Sequence, residues 1–195
     1  MAAVRERYHH GDLRNALVRT ATRLVERNGA DGLSLRDVAA RIGVSPSAVY
    51  RHFSDKNALL VAVALDAFAA LTAAYTASAQ AETTEAARPA AAARGYVAFA
   101  LEHPALYRLI LGAHHPTDPA LREAGQRTLD GFHALIARRF GLDPHGVEVT
   151  RRTLAGWSLI HGYVMLQLDG PLAHLGSPLP EVDELFSALS GQPGA

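Results

Sequence analysis

Cysteine is absent from this chain of 195 residues, and its absence excludes disulfides, thiol nucleophiles and thiolate metal sites. No Gly-rich loop of phosphate-binding spacing occurs, which removes the commonest nucleotide-binding motifs. β-Branched runs are sparse and no segment reads as a strand. The opening residues, Met1-Ala-Ala-Val-Arg-Glu-Arg-Tyr8, hold no apolar stretch of signal-peptide length. No later stretch reads as an unbroken membrane span, so the expectation is a cytoplasmic protein with no membrane partner. Net charge is missing too, with 19 Lys and Arg against 19 Asp and Glu.

That zero conceals a gradient. Residues 1–60 hold ten basic against six acidic side chains, and residues 61–195 hold nine against thirteen. A basic front end suits a polyanion, and the remainder does not. Lys56 is the sole lysine. Hydrophobic residues make up 49% of the chain, many of them alanine, and the ten prolines fall mainly between periodic segments. That composition is large enough for a substantial core and predicts helices throughout, an all-α protein.

The most informative stretch runs from Ser34 to Lys56. Ser34 can cap a helix whose apolar positions Leu35, Val38, Ala39 and Ile42 recur at helical spacing, and Gly43 supplies a left-handed stop. Ser45 then caps a second helix with Pro46 in its first turn. Val49 and Phe53, four apart, face inward, leaving Ser47, Tyr50, Arg51 and His52 to point elsewhere. Arginine can fork onto a guanine edge, small residues such as Ser47 and Ala48 permit close approach, and Ser45, Tyr50 and His52 can donate to phosphates. A plain helical hairpin with a solvated face would explain any one of these residues. The ordered combination reads as a helix-turn-helix.

Gly43-Val44-Ser45, Tyr50-x-His52-Phe53, Lys56 and the pair Leu59-Leu60 together resemble the N-terminal signature of the TetR family of transcription regulators. The resemblance covers roughly residues 10 to 65. It implies an all-helical homodimer without a cofactor, whose first three helices bind double-stranded operator DNA and whose remaining helices bind a small effector. By position it implies that Arg36, Pro46, Ser47, Ala48 and Arg51 face bases, and that Ser34, Ser45, Tyr50, His52 and Lys56 hold phosphates.

A first helix is predicted from Asp12 to Asn28, stopped by Gly29 and carrying an arginine face opposite Leu13, Leu17, Leu24 and Val25. Residues 4–11 read as a short basic arm. Asp55 caps a long helix to about Ser78 with Leu59, Leu60, Val63, Ala67, Phe68 and Leu71 inward, and a polar loop follows over Gln80 to Pro89. Further helices carry Tyr96, Phe99 and Leu101, then Leu106 to Ile110, then Leu121 to Ile136. Asp143-Pro144 is expected to start a last long helix to Leu168, apolar enough over Leu154 to Leu168 to be buried on several sides. Its Trp157 and His161-Gly162 resemble the Trp…His-Gly signature of one C-terminal subdivision of the same family. The segment Pro180 to Leu189 could complete a dimer interface with that helix.

The ten histidines suggest metal chemistry. The pairs His9-His10 and His114-His115 lie in presumed loops, however, with neither the spacing of a helical ligand pair nor a carboxylate cluster beside them. Nor is there an acid–base constellation, and no enzyme activity is expected. His161, a polar ring on an apolar stripe, needs a hydrogen-bond partner and is first a core or interface residue. The sharper reading has Trp157 stacking on an effector while His161 donates to it, in a pocket drawn from Phe68, Phe99, Tyr107, Phe132, Trp157 and His161. Such a pocket suits an apolar or aromatic effector. The expected organisation is a helix-turn-helix domain over residues 1–54 and an effector-binding and dimerisation domain over 55–195. The expected function is a regulator, by resemblance most commonly a repressor released from a palindromic operator. The alternative is a helical binding protein or enzyme with an incidental helix-turn-helix.

Overall fold

A computed structural model describes residues 10–112, 118–170 and 179–190. The expected arm at residues 4–11 and the His114-His115 loop fall wholly or mostly outside them. Nine helices and no strand occur among the described residues. They are α1 (His10–Asn28), α2 (Leu35–Ile42), α3 (Pro46–Tyr50), α4 (Lys56–Ala81), α5 (Arg88–Glu102), α6 (Pro104–Leu111), α7 (Pro119–Phe140), α8 (Val147–Leu168) and α9 (Val182–Ser190).

Local chemistry sets the boundaries. Ser34 Oγ accepts the Arg36 N–H, and Gly43 closes α2 at φ 76°, a backbone angle that side chains disfavour. Ser45 Oγ accepts the Ala48 N–H with Pro46 at the first position of α3. Asp55 caps α4 through the Ala58 N–H, and Asp118 caps α7 through the Ala120 N–H. The expected start of the last long helix is corrected. Asp143 caps a turn, accepting the Gly146 N–H at its carbonyl (2.9 Å) and the His145 N–H at Oδ1 (3.0 Å), and α8 begins only at Val147. An Asp-Pro pair initiates a turn as readily as a helix, and here the turn closes at Gly146, whose backbone is extended before Val147.

α4 organises the whole. It buries Leu59, Leu60, Ala62, Val63, Ala64, Ala67, Phe68, Leu71, Tyr75 and Ala79, packing along α5 more extensively than any other pair and also meeting α1, α6 and α7. By length and composition α4 is long and apolar enough to cross a membrane, contrary to the expectation that no stretch would be. Half of that stretch is buried inside the chain, and the apolarity serves a core helix enclosed on several sides. Its alanines disguise the run, because each adds little hydrophobicity on its own.

Two glycines allow close approach to α4. A Cβ on Gly95 of α5 would lie 2.8 Å from the Ala74 carbonyl oxygen and collide with Ser78 Oγ. A Cβ on Gly131 of α7 would collide with the hydroxyl of Tyr75, which donates to the Thr128 carbonyl (3.0 Å).

α8 departs from expectation. Only Val149, Thr153, Ile160 and Val164 are buried. Leu154 and Leu166 are each 46% exposed, and Gly162 has open space where a Cβ would be. The helix rests on α5, α7 and α9 along one stripe and leaves an apolar face uncovered by the other described residues.

Substituting Gly95→Ala or Gly131→Ala should overpack these seams and lower stability by about 1–3 kcal/mol each. Urea unfolding midpoints would measure this, and unchanged midpoints for both would refute the close approach.

Candidate nucleic-acid interface and effector cavity

α3 is anchored by Val49, fully buried, and by Phe53 just beyond it, 3% exposed. The Arg14 guanidinium lies 5.2 Å from the centre of the Phe53 ring. Anchoring that stripe turns the opposite one outward. Ser45, Pro46, Ser47, Tyr50 and Arg51 are exposed, with Ala48 and His52 half-buried at the margin. Arg36 stands exposed at the start of α2, and neither Arg36 nor Arg51 has an ion-pair partner among the described residues. The hydroxyls of Ser45 and Ser47 lie 2.9 Å apart. The result is a short polar ridge with two free guanidiniums, a surface suited to phosphate and base-edge hydrogen bonds.

Lys56 has an engagement that its sequence position does not suggest. Its ammonium donates to the Asp31 carbonyl (2.8 Å), tying the first residue of α4 to the turn between α1 and α2. Beside it, the Ala58 N–H and the Ser54 hydroxyl hold the Asp55 carboxyl below its usual pKa.

The helical body joins this head at a second place. His103 Nδ1 and Glu26 Oε1 lie 2.8 Å apart, linking the junction of α5 and α6 to the last turns of α1. At the far side of α6, Arg108 donates to the Leu168 carbonyl (2.8 Å) and pairs with Asp169 (2.9 Å). A cation at the carbonyl end of α8 is favourably placed against the helix dipole.

A cavity of about 220 Å³ opens inside the body. Phe68 of α4, Tyr96 of α5, Leu111 of α6, Gly125, Gln126, Thr128 and Leu129 of α7, and Trp157 of α8 line it. Of the side chains expected there, Phe68 and Trp157 are on the wall. Phe99 instead lies buried against the His103 ring (centroids 5.0 Å apart), and Phe132 packs on Tyr75 (4.4 Å) and Tyr96 (5.8 Å). Tyr107 and His161 stand behind the wall in a hydrogen-bonded chain. The hydroxyls of Tyr96 and Tyr107 are 3.0 Å apart, that of Tyr107 is 2.6 Å from His161 Nδ1, and the imidazole stacks on Trp157. Tyr96, Gln126 and Thr128, which provide the polar part of the wall, carried no signal in sequence beyond their helical register. Gly125 and Gly131, at points where aromatic residues of α4 approach α7, were the available clue.

Burial dominates the electrostatics of that chain. It raises the Tyr96 hydroxyl to about 12, partly offset by hydrogen bonds to Tyr107 and Trp157, and it pushes the Tyr107 hydroxyl up as well. It lowers the His161 imidazole, which therefore stays neutral at pH 7.

Two family models match the chain. One, described as "Bacterial regulatory proteins, tetR family", matches residues 17–63, and the other, "Tetracyclin repressor-like, C-terminal domain", matches residues 89–190. The chain belongs to the TetR family. Its TetR-type front end is 47% identical over 51 residues to the tetracycline repressor protein class C of Escherichia coli, a match spanning 26% of this chain and 23% of that protein. A solved protein of unknown function from Rhodococcus sp. RHA1 is 38% identical, with a TM-score of 0.77 and 95% of each chain covered. RolR, solved in complex with resorcinol, shares the fold at 18% identity, with a TM-score of 0.63 over 92% of this chain and 86% of its own.

Because the folded His161 pKa lies below its ordinary value of about 6.5, the unfolded chain binds this proton first as pH falls. The contribution of His161 to stability should be constant above about pH 6.5 and decline from there down to the lowered folded pKa. Urea midpoints for wild type and His161→Gln across that range should show a shallower slope in the variant. Parallel slopes would mean His161 is not a buried neutral imidazole.

Proposed function

We propose that this TetR-family chain is a DNA-binding transcription regulator, acting as a homodimer in the cytoplasm and released from a near-palindromic operator by a small apolar or aromatic effector. The observation that carries the reading is the outward stripe of α3, where Ser45, Ser47, Tyr50 and Arg51 are exposed on a helix fixed from behind by Val49 and Phe53. Arg36, Pro46, Ser47, Ala48 and Arg51 are assigned to base edges. Ser34, Ser45, Tyr50, His52 and Lys56 are assigned to phosphates, Lys56 while also bracing the turn at Asp31.

A twofold dimer must place its two α3 helices in successive major grooves, about 34–36 Å apart. The open apolar face of α8, with Leu154, Gly162 and Leu166, supports pairing with a second copy. The spacing of the two heads is then the quantity an effector can alter. A ligand in the cavity touches α4 through Phe68 and α6 through Leu111. α4 is tied to the head at Asp31 and α6 packs on α1, so both walls reach the reading head. The binding of resorcinol by RolR, a protein of the same fold, supports an aromatic ligand for this cavity.

Titrating the protein against DNA flanking its own gene should give saturable, sequence-specific binding that weakens with salt in proportion to the phosphates engaged. Only weak, sequence-blind binding would overturn the reading. Arg51→Ala should reduce discrimination by about 1–3 kcal/mol at one base pair. Lys56→Ala should instead weaken all sequences alike and lower the salt slope by about one. Unchanged profiles for both variants would show that these residues do not face DNA.

A further inference from the structure

From the size and chemistry of the cavity we infer that its ligand is an uncharged molecule of one aromatic ring bearing a hydroxyl, lying against Phe68 and Trp157 with that hydroxyl hydrogen-bonded to the Gln126 side-chain amide. The inference rests on the reading of this cavity as the effector site and makes it specific in size, charge and hydrogen-bonding sense.

Size comes first. An apolar cavity of about 150 Å³ accommodates benzene, whereas drug-sized ligands occupy about 300–1,000 Å³. At about 220 Å³ this one admits a substituted single ring. Charge is next: no Asp, Glu, Lys, Arg or His lies in the wall among the described residues, and an ion there would lose part of its hydration with only a neutral amide to replace it. The wall is otherwise Phe68, Leu111, Leu129, Gly125 and the indole of Trp157, surfaces that favour a flat apolar body.

The sense of the polar contact follows from what is already engaged. The Tyr96 hydroxyl is bonded to that of Tyr107, which is bonded in turn to His161. The Trp157 side chain is a further hydrogen-bond partner of Tyr96. Thr128 Oγ1 donates to the Ala124 carbonyl (3.0 Å) and lies 3.0 Å from the Thr72 hydroxyl, while the Thr128 carbonyl accepts from Tyr75. Gln126, exposed at the mouth, donates its amide N–H to Asp130 (2.8 Å). Its carbonyl oxygen and its second N–H have no partner among the described residues. Among the described residues the wall thus presents one open polar group, an amide that can both accept a phenolic O–H and donate to its oxygen, whereas an ether can take only the second bond.

The test uses the full chain and three probes of equal ring size: phenol, anisole and benzoate. Trp157 is the only tryptophan, so its emission reports directly on the cavity, and calorimetry supplies an independent affinity. Phenol should bind saturably, about three- to tenfold more tightly than anisole, which is what one neutral hydrogen bond contributes. Benzoate should be at least about tenfold weaker than phenol, on account of its unpaired charge. Gln126→Leu should abolish the preference of phenol over anisole. Leu129→Trp, read by calorimetry because it adds a second tryptophan, should fill the cavity and remove phenol binding, with Gly125→Val as a second filling variant should the first lose its helical circular dichroism. Equal affinities for phenol and benzoate, a phenol preference that survives Gln126→Leu, or phenol binding that survives filling would each overturn the assignment. So would a lack of response to all three probes in protein that still binds its operator, and the regulator reading would then stand alone. Phenol that binds as described without releasing operator DNA would instead retain the ligand class and refute the effector role.

Discussion

The rest of the structure depends on one constraint: a single helix is buried from its first turns to its last. α4 places Leu59, Leu60 and Val63 at its N-terminal end and Phe68, Leu71 and Tyr75 farther along, all in one continuous core that also holds Leu17 and Val25 of α1 and Tyr96 and Tyr107 of the body. A helix held in this way keeps one solvent face, at Asp66, Ala69, Ala70, Ala73 and Ala77, and is gripped on the rest of its surface. Any change in how α5, α6 and α7 sit against it must be taken up as a movement of the helix itself. Its N-terminus is fixed to the head by the contact of Lys56 with the Asp31 carbonyl, so that movement reaches α2 and α3. The alanines that make up much of α4 are what allow neighbours to approach on several sides at once.

The fold was largely legible in sequence because its punctuation is chemical. Ser34, Ser45, Asp55 and Asp118 are N-caps in the structure, and Gly43 and Gly141 end their helices with left-handed backbones. Punctuation misleads where one signal serves two structures. Asp143-Pro144 opens a turn, closed by the Gly146 N–H on the Asp143 carbonyl, and an extended residue at Gly146 precedes α8. The apolar run of α8 misled for a different reason. Hydrophobicity reports that a surface is suited to being covered, and here Leu154 and Leu166 are left uncovered by the described residues, the face on which the proposed dimer would pair.

The cavity was less legible. Periodicity identifies which side chains face inward but not which inward side chains fail to touch one another. Phe68 and Trp157 border the void while Phe99 and Phe132, equally apolar and equally inward, are packed against neighbours. What separates the two sets is the joint shape of α4, α5, α6, α7 and α8, a property of tertiary packing. Likewise the partner of His161 could be required from its burial but not named. It is Tyr107, 54 positions earlier in the chain, and the bond continues from there to Tyr96 at the cavity wall.

As the proposed effector site, the small cavity also limits how such a switch can work. Even the best small ligands gain no more than about 1.5 kcal/mol per non-hydrogen atom, so a ligand of single-ring size has little binding energy to distribute between two head spacings. Moving a population from 1:99 to 99:1 takes about 5.5 kcal/mol of differential affinity. A ligand this size can approach that figure only if most of its contacts belong to one state. The geometry is suited to such selectivity, because five helices contribute to the wall and a shift of α4 or α6 relative to α7 and α8 would disturb contacts on several sides of the ligand together. The remaining requirement falls on the protein. The two spacings must already lie within a few kcal/mol of each other, and the two symmetric cavities of a dimer would each contribute to the same transition.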